Sequence, residues 1–435
     1  MRKHLRALLI LPVLVFLACD SAYNPEEPEI RIEIPQDLLG MVHAGSRNEV
    51  QEYKLLDDMG VSWMLRTFNW STIEPGKGNW NFADYDAYIG NGKSHGKKIF
   101  AVLAYDTSWL YGDGQSRNYI SPEQLDLYCA YVKKTVERYK GSVDAWGIWN
   151  EPNISRFWTG TAAEFYELTK RAAAAIREAD PGALIVGGAF NTLATEEWIR
   201  GLFESGAMEQ VDALSYHPYS FSAFSSAAIF TGVQEILAGY HFDDKIWVTE
   251  VGFPTGGSYL TKVSEENMPE QVVKTIVSLA TAGAVHVFWY QLFDPAERNP
   301  DDSEDYFGLL NRDYTPKGGK EAYALCSRHI PGTAYRPGLP VGAENLYNIR
   351  AFYFEGEARH TLIIWGEGDS PEPKTVRIFL PGSERQLHNP VDGSSEPVDG
   401  ESTDVSVGGM PRIYTWENTD KIKVPRISVP GGIGF

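Results

Sequence analysis

Eight short apolar segments recur along the first two thirds of the chain, and helix-like stretches separate them. They are Leu39–His43, Ser62–Arg66, Lys98–Leu103, Ala145–Trp149, Leu184–Gly188, Ala213–His217, Ile246–Glu250 and Val285–Gln291. A strand that is apolar on both faces has no side to turn to water, so it belongs in a parallel sheet covered by helices. Eight such strand–helix units in succession predict an α/β architecture, a (β/α)8 or TIM barrel. The intervening helices carry their own start signals. Ser121-Pro122-Glu123-Gln124 supplies a cap, a first-turn proline and a glutamine at the third position, and Thr161-Ala162-Ala163-Glu164 is a capping box. Gly60 and Gly141 stand where helices should stop.

After Arg328 the pattern changes. Tyr347–Phe354, His360–Trp365, Thr375–Leu380, Asp404–Val407 and Arg412–Trp416 alternate or are rich in β-formers, with Pro, Gly, Asp and Ser clusters between them. This predicts a small antiparallel β-sandwich domain after the barrel. The expected division is a signal peptide over 1–18, a tether over 19–36, the barrel over 37–330, the β-sandwich over 331–425 and a disordered tail over 426–435. Within the tether, Ile30 to Ile34 alternates as a short strand would.

The chain opens on a basic stretch, Met1 to Arg6, and an apolar run, Ala7 to Leu17, too short to span a bilayer as a normal helix and of the length of a signal core. Phe16-Leu17-Ala18-Cys19 resembles a bacterial lipobox, which would place cleavage before Cys19 and a lipid on that cysteine. The expectation is an exported protein held on a membrane by a lipid anchor. Cys129 and Cys326 then remain, each in a helix-like segment, and are expected to be free thiols. The net charge of −19 leaves no basic patch for phosphate backbones, so nucleic acid is not an expected partner. No metal-like cysteine spacing is present, and neither a metal nor a cofactor is expected.

In a barrel of this kind, side chains that do chemistry stand at the C-terminal ends of strands. The fourth and seventh candidate strands each deliver a glutamate there, Glu151 in Trp149-Asn150-Glu151-Pro152-Asn153 and Glu250 in Val248-Thr249-Glu250-Val251. Strands four and seven lie across the ring from one another, so the two carboxyls can meet at its centre. Two carboxyls about 5–5.5 Å apart suit a retaining glycosidase, one protonated to help the leaving oxygen, the other ionised to attack the sugar. Their mutual repulsion would divide the two protonation states between them.

Trp149-Asn150-Glu151-Pro152-Asn153 resembles the acid/base motif of clan A of the glycoside hydrolases, and the resemblance extends over the barrel. Phe157-Trp158-Thr159-Gly160 and Phe165-Tyr166-Glu167-Leu168 resemble family 39 of that clan, as does a β domain after the barrel. Val251-Gly252-Phe253-Pro254, following Glu250, departs from the Trp and Asn of family 39 and resembles families 5, 17 and 42. The resemblance implies a retaining hydrolase of β-glycosidic bonds in oligo- or polysaccharides, of β-xylosidase, β-glucanase or β-mannanase type, with Glu151 as acid/base and Glu250 as nucleophile. It further implies that Asn150 binds the 2-hydroxyl and that Arg66 pairs with Glu250. Of His217 and Tyr219, one would orient Glu250 and the other touch substrate, and Trp289 would form the platform under the reacting sugar. His43, Tyr105 and Trp109 are candidate substrate contacts at other strand ends, and Trp70, Trp109 and Trp158 are candidates to line a long cleft. Glu74 reads as structural, and Asp301 to Asp305 as a solvated acidic face. A non-catalytic sugar-binding lipoprotein on the same barrel is the rival reading, although it would be expected to lack one of the two glutamates. Neither a Gly-x-Ser-x-Gly elbow nor a His-Glu-x-x-His motif is present for an esterase or a metallopeptidase.

Overall fold

A computed structural model describes residues 30–430, except 48, 341, 343–345, 347, 368–371 and 418–423. Cys19, the expected leader and most of the expected tether lie outside the described residues.

The chain enters through strand β1 (Ile32–Glu33) and then builds the barrel from β2 (Leu39–Val42), β3 (Trp63–Asn69), β4 (Lys98–Ala104), β5 (Ala145–Ile148), β6 (Ile185–Asn191), β7 (Ala213–His217), β8 (Ile246–Val251) and β9 (His286–Trp289). These eight close in sequence order, each parallel to the next and β9 back to β2. Helices fill the gaps, among them Leu125–Tyr139, Ala162–Ala179, Ala223–Ala238, Met268–Thr281 and Lys320–His329. Thr161 and Glu164 form the expected capping box.

Alternation along a strand sends successive side chains to opposite faces. Leu65 and Thr67 of β3 and Phe100 and Val102 of β4 line the cavity at the barrel axis. The residues between them face the surrounding helices. Phe68, for example, packs against Tyr85 and Tyr88 of the helix Ala83–Ser94. The inner faces lower in the barrel fill with aromatic rings: Phe288 lies 5.6 Å from Phe100 and 6.3 Å from Trp247. Such inward packing makes the barrel a solid core rather than a pore.

The second layer system is the expected antiparallel sandwich. One sheet runs β1, β10 (Ala334–Tyr335), β11 (Ile349–Glu355), β12 (Arg359–Gly366), then, beyond β13 (Lys374–Phe379), β14 (Ser383–His388) and β15 (Ser395–Pro397), in the order β1-β10-β11-β12-β17-β14-β15, where β17 is Arg412–Glu417. The other is β16 (Ser402–Val407), β13 and β18 (Arg426–Ser428). The expected tail therefore gives up its first three residues to a strand. Ile427 is buried in the sandwich core, but a three-residue strand between two prolines is too short to show alternation in sequence. Lys274 of the barrel lies over Trp365 of the sandwich, and Thr361 donates to the carbonyl of His329. Cys129 and Cys326 are free. Among the described residues no helix is long and apolar enough to cross a membrane.

Candidate active site

Three strands break their alternation at the mouth of the barrel, and the site is built from those breaks. In β5, Gly147 and Asn150 both line the axial cavity, and the left-handed backbone of Trp149 and Glu151 (φ 63° and 45°) swings the chain across the mouth. The Glu151 N–H donates to the carbonyl of Ala189, locking that turn to β6. In β6 the register against β7 shifts between Gly187 and Phe190, where Gly188 and Ala189 are also left-handed. In β8 the register against β9 shifts between Val248 and Val251, so the consecutive residues Thr249 and Glu250 both line the cavity. A bulge next to a site is a way to re-aim one side chain. Gly252 follows because a Cβ there would lie 2.1 Å from the Tyr290 carbonyl oxygen.

The result brings Glu151 and Glu250 together. One carboxylate oxygen of each and a ring nitrogen of His217 lie within 4.8 Å of one another. Glu151 Oε1 accepts from Asn191 Nδ2 at 2.8 Å and pairs with His217 Nδ1 at 2.9 Å, while Glu250 Oε2 accepts from the Tyr219 hydroxyl at 3.1 Å and lies 3.7 Å from the same His217 nitrogen. Each carboxyl thus has one tethered oxygen. Among the described residues no protein group holds the other, Oε2 of Glu151 and Oε1 of Glu250. His217 Nε2 is engaged by Thr249 Oγ1, which in turn meets Ser215 Oγ. With both ring nitrogens taken, the trio offers no free imidazole lone pair to a cation.

The electrostatics follow from enclosure. Glu151 is 7% exposed. Burial pushes the Glu250 carboxyl upward, to about 7. Nearby His217 opposes this, the Glu151 charge adds to it, and the Tyr219 hydrogen bond opposes it. Burial pulls His217 down, but the two glutamates outweigh it and hold the imidazole above its usual value. Tyr219 is held well above its ordinary value by burial and by Glu250, so it remains a donor.

Other expected residues join this center or stand aside. Asn150 lies at the cavity close to Tyr105, whose ring packs edge-on to Trp149. His43 pairs through Nδ1 with Gln291, next to Tyr290.

Arg66 does not pair with Glu250. Between the inward Leu65 and Thr67 it faces the helix layer, where it bonds Asp84 and lies over the rings of Tyr85 and Tyr88. Trp289 is fully buried and cannot form a platform; its neighbour Phe288 takes the inward face, which leaves Trp289 the outward one, near Phe253. Trp70 and Trp158 are likewise core residues rather than the wall of a cleft, and Trp109 donates to the carbonyl of Glu74. Glu74 accepts from Trp70 and from the Gly78 N–H, the structural part expected of it.

The sequence reading passed over Asn191, Thr249, Tyr290, Gln291 and Glu304. Gly187-Gly188 reads as the end of a strand, although the polar Asn191 closing the run Ala189-Phe190 was a usable signal. Glu304 stands in the acidic run, yet it is half-buried and accepts from Tyr259 at 3.0 Å and Tyr290 at 3.2 Å. Burial raises its pKa and the Glu151 charge adds to this, so the run is not wholly a solvated face. The consecutive aromatic residues Tyr306 and Phe307 just after the run were the clue.

Residues 96–277, which carry both glutamates with Asn191, His217, Tyr219 and Thr249, match the family profile of glycosyl hydrolases family 39. Over that stretch the chain is similar to family 39. A β-xylosidase of Caldicellulosiruptor saccharolyticus is 28% identical over 222 residues, 45% of this chain and 44% of that protein. A β-xylosidase of Geobacillus stearothermophilus is 35% identical over 104 residues, 22% and 20% of the two chains. The chain thus spans less than half the length of these curated relatives. Among solved structures, a family 39 glycoside hydrolase from the gut symbiont Bacteroides cellulosilyticus WH2 superposes with a TM-score of 0.73 at 19% identity, over 88% of this chain and 81% of that one. A monomeric β-xylosidase from Caulobacter crescentus CB15 gives 0.64 at 14% identity, over 89% and 98%. At such identities the likeness is one of fold.

Proposed function

We propose that the protein is a retaining β-glycosidase that releases sugar units from the ends of β-linked chains, with Glu151 as acid/base and Glu250 as nucleophile. The observation that carries this reading is the meeting of two strand-end carboxyls within 4.8 Å around one histidine. That spacing suits a covalent glycosyl-enzyme rather than a water held between the two groups. The enclosure of both carboxyls supports action on a chain end, and the β-xylosidase relatives make xylose-type substrates the first to test.

Two half-reactions follow. Glu250 Oε1 attacks the anomeric carbon and forms an ester, the glycosidic C–O bond breaks, and the leaving oxygen takes the proton of Glu151 Oε2. Glu151, now a carboxylate, takes a proton from water as the water oxygen attacks the same carbon and releases Glu250. Raised to about 7, Glu250 retains a proton up to the approach to neutrality. Positive charge growing at the anomeric carbon favours ionised Glu250 and places that proton on Glu151.

Replacing Glu250 with Ala should lower turnover by about 10⁴-fold or more, and azide should restore it by forming a glycosyl azide of inverted configuration. Glu151→Ala should spare only substrates with very good leaving groups. Wild-type turnover of an oligosaccharide by both variants would sink the assignment.

The basic start, the apolar run and Cys19 support a lipid anchor on an exported protein. Labelled fatty acid should enter the wild-type chain in a bacterial host and not Cys19→Ser; equal labelling of the two would overturn the anchor.

A further inference from the structure

Five of the large apolar side chains that stand exposed follow β6, β7 and β8: Leu193, Phe221, Tyr259 and Leu260 on the loops and Phe224 in the first turn of the helix Ala223–Ala238. All three loops are at the catalytic mouth. Two of these residues, Phe221 (68% exposed) and Phe224 (59% exposed), line a groove of about 870 Å³ that runs from the barrel to the β-sandwich. Its far wall includes Arg350, Glu367 and Met410 of the sandwich, and its floor includes Gln271 and Lys274 of the helix Met268–Thr281.

We propose that this groove binds the leaving-group side of the substrate chain, so that an oligosaccharide runs from the glutamate pair over Phe221 and Phe224 and onto the β-sandwich. The proposal rests on the glycosidase reading and adds to it a second binding surface and a role for the sandwich. Three observations carry it. First, the groove begins close to the site: Tyr219 touches Glu250, and Phe221, which lines the groove, is two residues on, a span of at most about 7 Å of chain. Second, the acid is tethered by Asn191 and His217, which open the loops bearing Leu193 and Phe221, so the leaving group departs toward those loops. His43, Tyr105 and Tyr290, which follow β2, β4 and β9, are half-buried. Third, the groove suits a neutral, hydroxyl-rich ligand. Lys274 is paired with Glu270 at 2.8 Å and Arg350 with Glu367 at 3.3 Å, so neither cation awaits an anion. Exposed aromatic faces beside such polar groups stack on the apolar faces of sugar rings.

The test uses the full chain and two probes, xylohexaose and an aryl β-xyloside that ends at the scissile bond, with cellohexaose and mannohexaose in parallel. In Phe221→Ala/Phe224→Ala the ratio of kcat/KM on the hexaose to that on the aryl glycoside should fall about 10-fold, mostly through KM. Both residues are on the surface, so their truncation should leave the fold intact. Calorimetry on Glu250→Ala, with and without the two Phe substitutions, reads binding without turnover. Hexaose binding weakened about 10-fold by the Phe substitutions supports the groove even if no probe is hydrolysed, in which case the glycosidase reading alone fails. An unchanged ratio, or hexaose binding indifferent to both substitutions or absent altogether, overturns the groove.

Discussion

Strands β5 and β8 carry a conspicuous side chain at or just beyond their C-terminal ends, β9 carries one at its end and β3 carries one at mid-strand, since β3 runs three residues past Arg66 to Asn69, yet only the first pair delivers it to the centre. β3 keeps strict alternation, so Arg66, between two inward residues, points away to the helix layer. In β9 Phe288 takes the inward face and leaves Trp289 the outward one. β5 turns left-handed at Trp149 and Glu151, and β8 slips register at Glu250, and each break re-aims a glutamate. Being at a strand end therefore makes a residue a candidate; the backbone irregularity decides whether it arrives. Left-handed non-glycine residues cost on the order of 1–3 kcal/mol each, and such strain persists where surrounding structure holds it, here through the Glu151 N–H bond to Ala189 and the Asn191 and His217 tethers.

The comparison breaks most visibly at the tethers. Asn191→Ala and His217→Phe each remove a partner of Glu151 Oε1, and each should lower kcat/KM on poor leaving groups by about 10²-fold, with a smaller loss on activated ones. Equal losses on both classes would mean that these residues serve something other than the acid.

The pH dependence is the next largest effect. One proton must remain in the pair, and Glu250 is raised to about 7. kcat/KM should therefore fall above about pH 7, and this alkaline limb should vanish in Glu151→Ala assayed with an activated substrate. A flat profile from pH 6 to 9 in the wild type would contradict a shared proton.

Arg66→Met tests the other half of the comparison. It removes a cation over two tyrosines and a half-exposed ion pair, so it should lower Tm by about 2–4 °C and leave kcat/KM within about 3-fold. A 10²-fold loss of activity with unchanged Tm would return Arg66 to the site.

The smallest effect is on stability. Glu250 is raised in the folded state, so folding retains a proton that the unfolded chain releases, and the resulting cost appears above pH 4.5 and grows until about pH 7. Glu250→Gln should accordingly gain more in Tm over wild type at pH 8 than at pH 4, by about 2 °C. The reverse order would show that Glu250 is better stabilised as an anion than its surroundings indicate.

Much was legible in the sequence because it is local. Apolar runs and caps reveal strands and helices, and both glutamates stand where two such runs end. The eight-strand order followed, and with it the opposition of Glu151 and Glu250. The sandwich was legible too in β11, β12, β13, β16 and β17, but not in β10, β14, β15 or the three-residue β18, which are recognisable only by what they pair with. The facing of a side chain was not legible, because one extra residue in a strand flips every position beyond it. The register shift in β6 is why Asn191 was missed, whereas Arg66 and Trp289, on strands that keep their alternation, were misplaced because the face each strand turns inward is set by the closed barrel.

Sequence by itself determined the barrel, the sandwich after it and the pair of carboxyls, since periodicity and strand-end position are properties of a short stretch of chain. Only the tertiary structure decided which oxygen of each glutamate is tied and which is free, that Tyr219 rather than Arg66 holds Glu250, and that Phe221 and Phe224 open onto the sandwich. Those facts depend on distances between segments far apart in the chain, and these distances are fixed by bulges, left-handed turns and packing that only the closed barrel brings together.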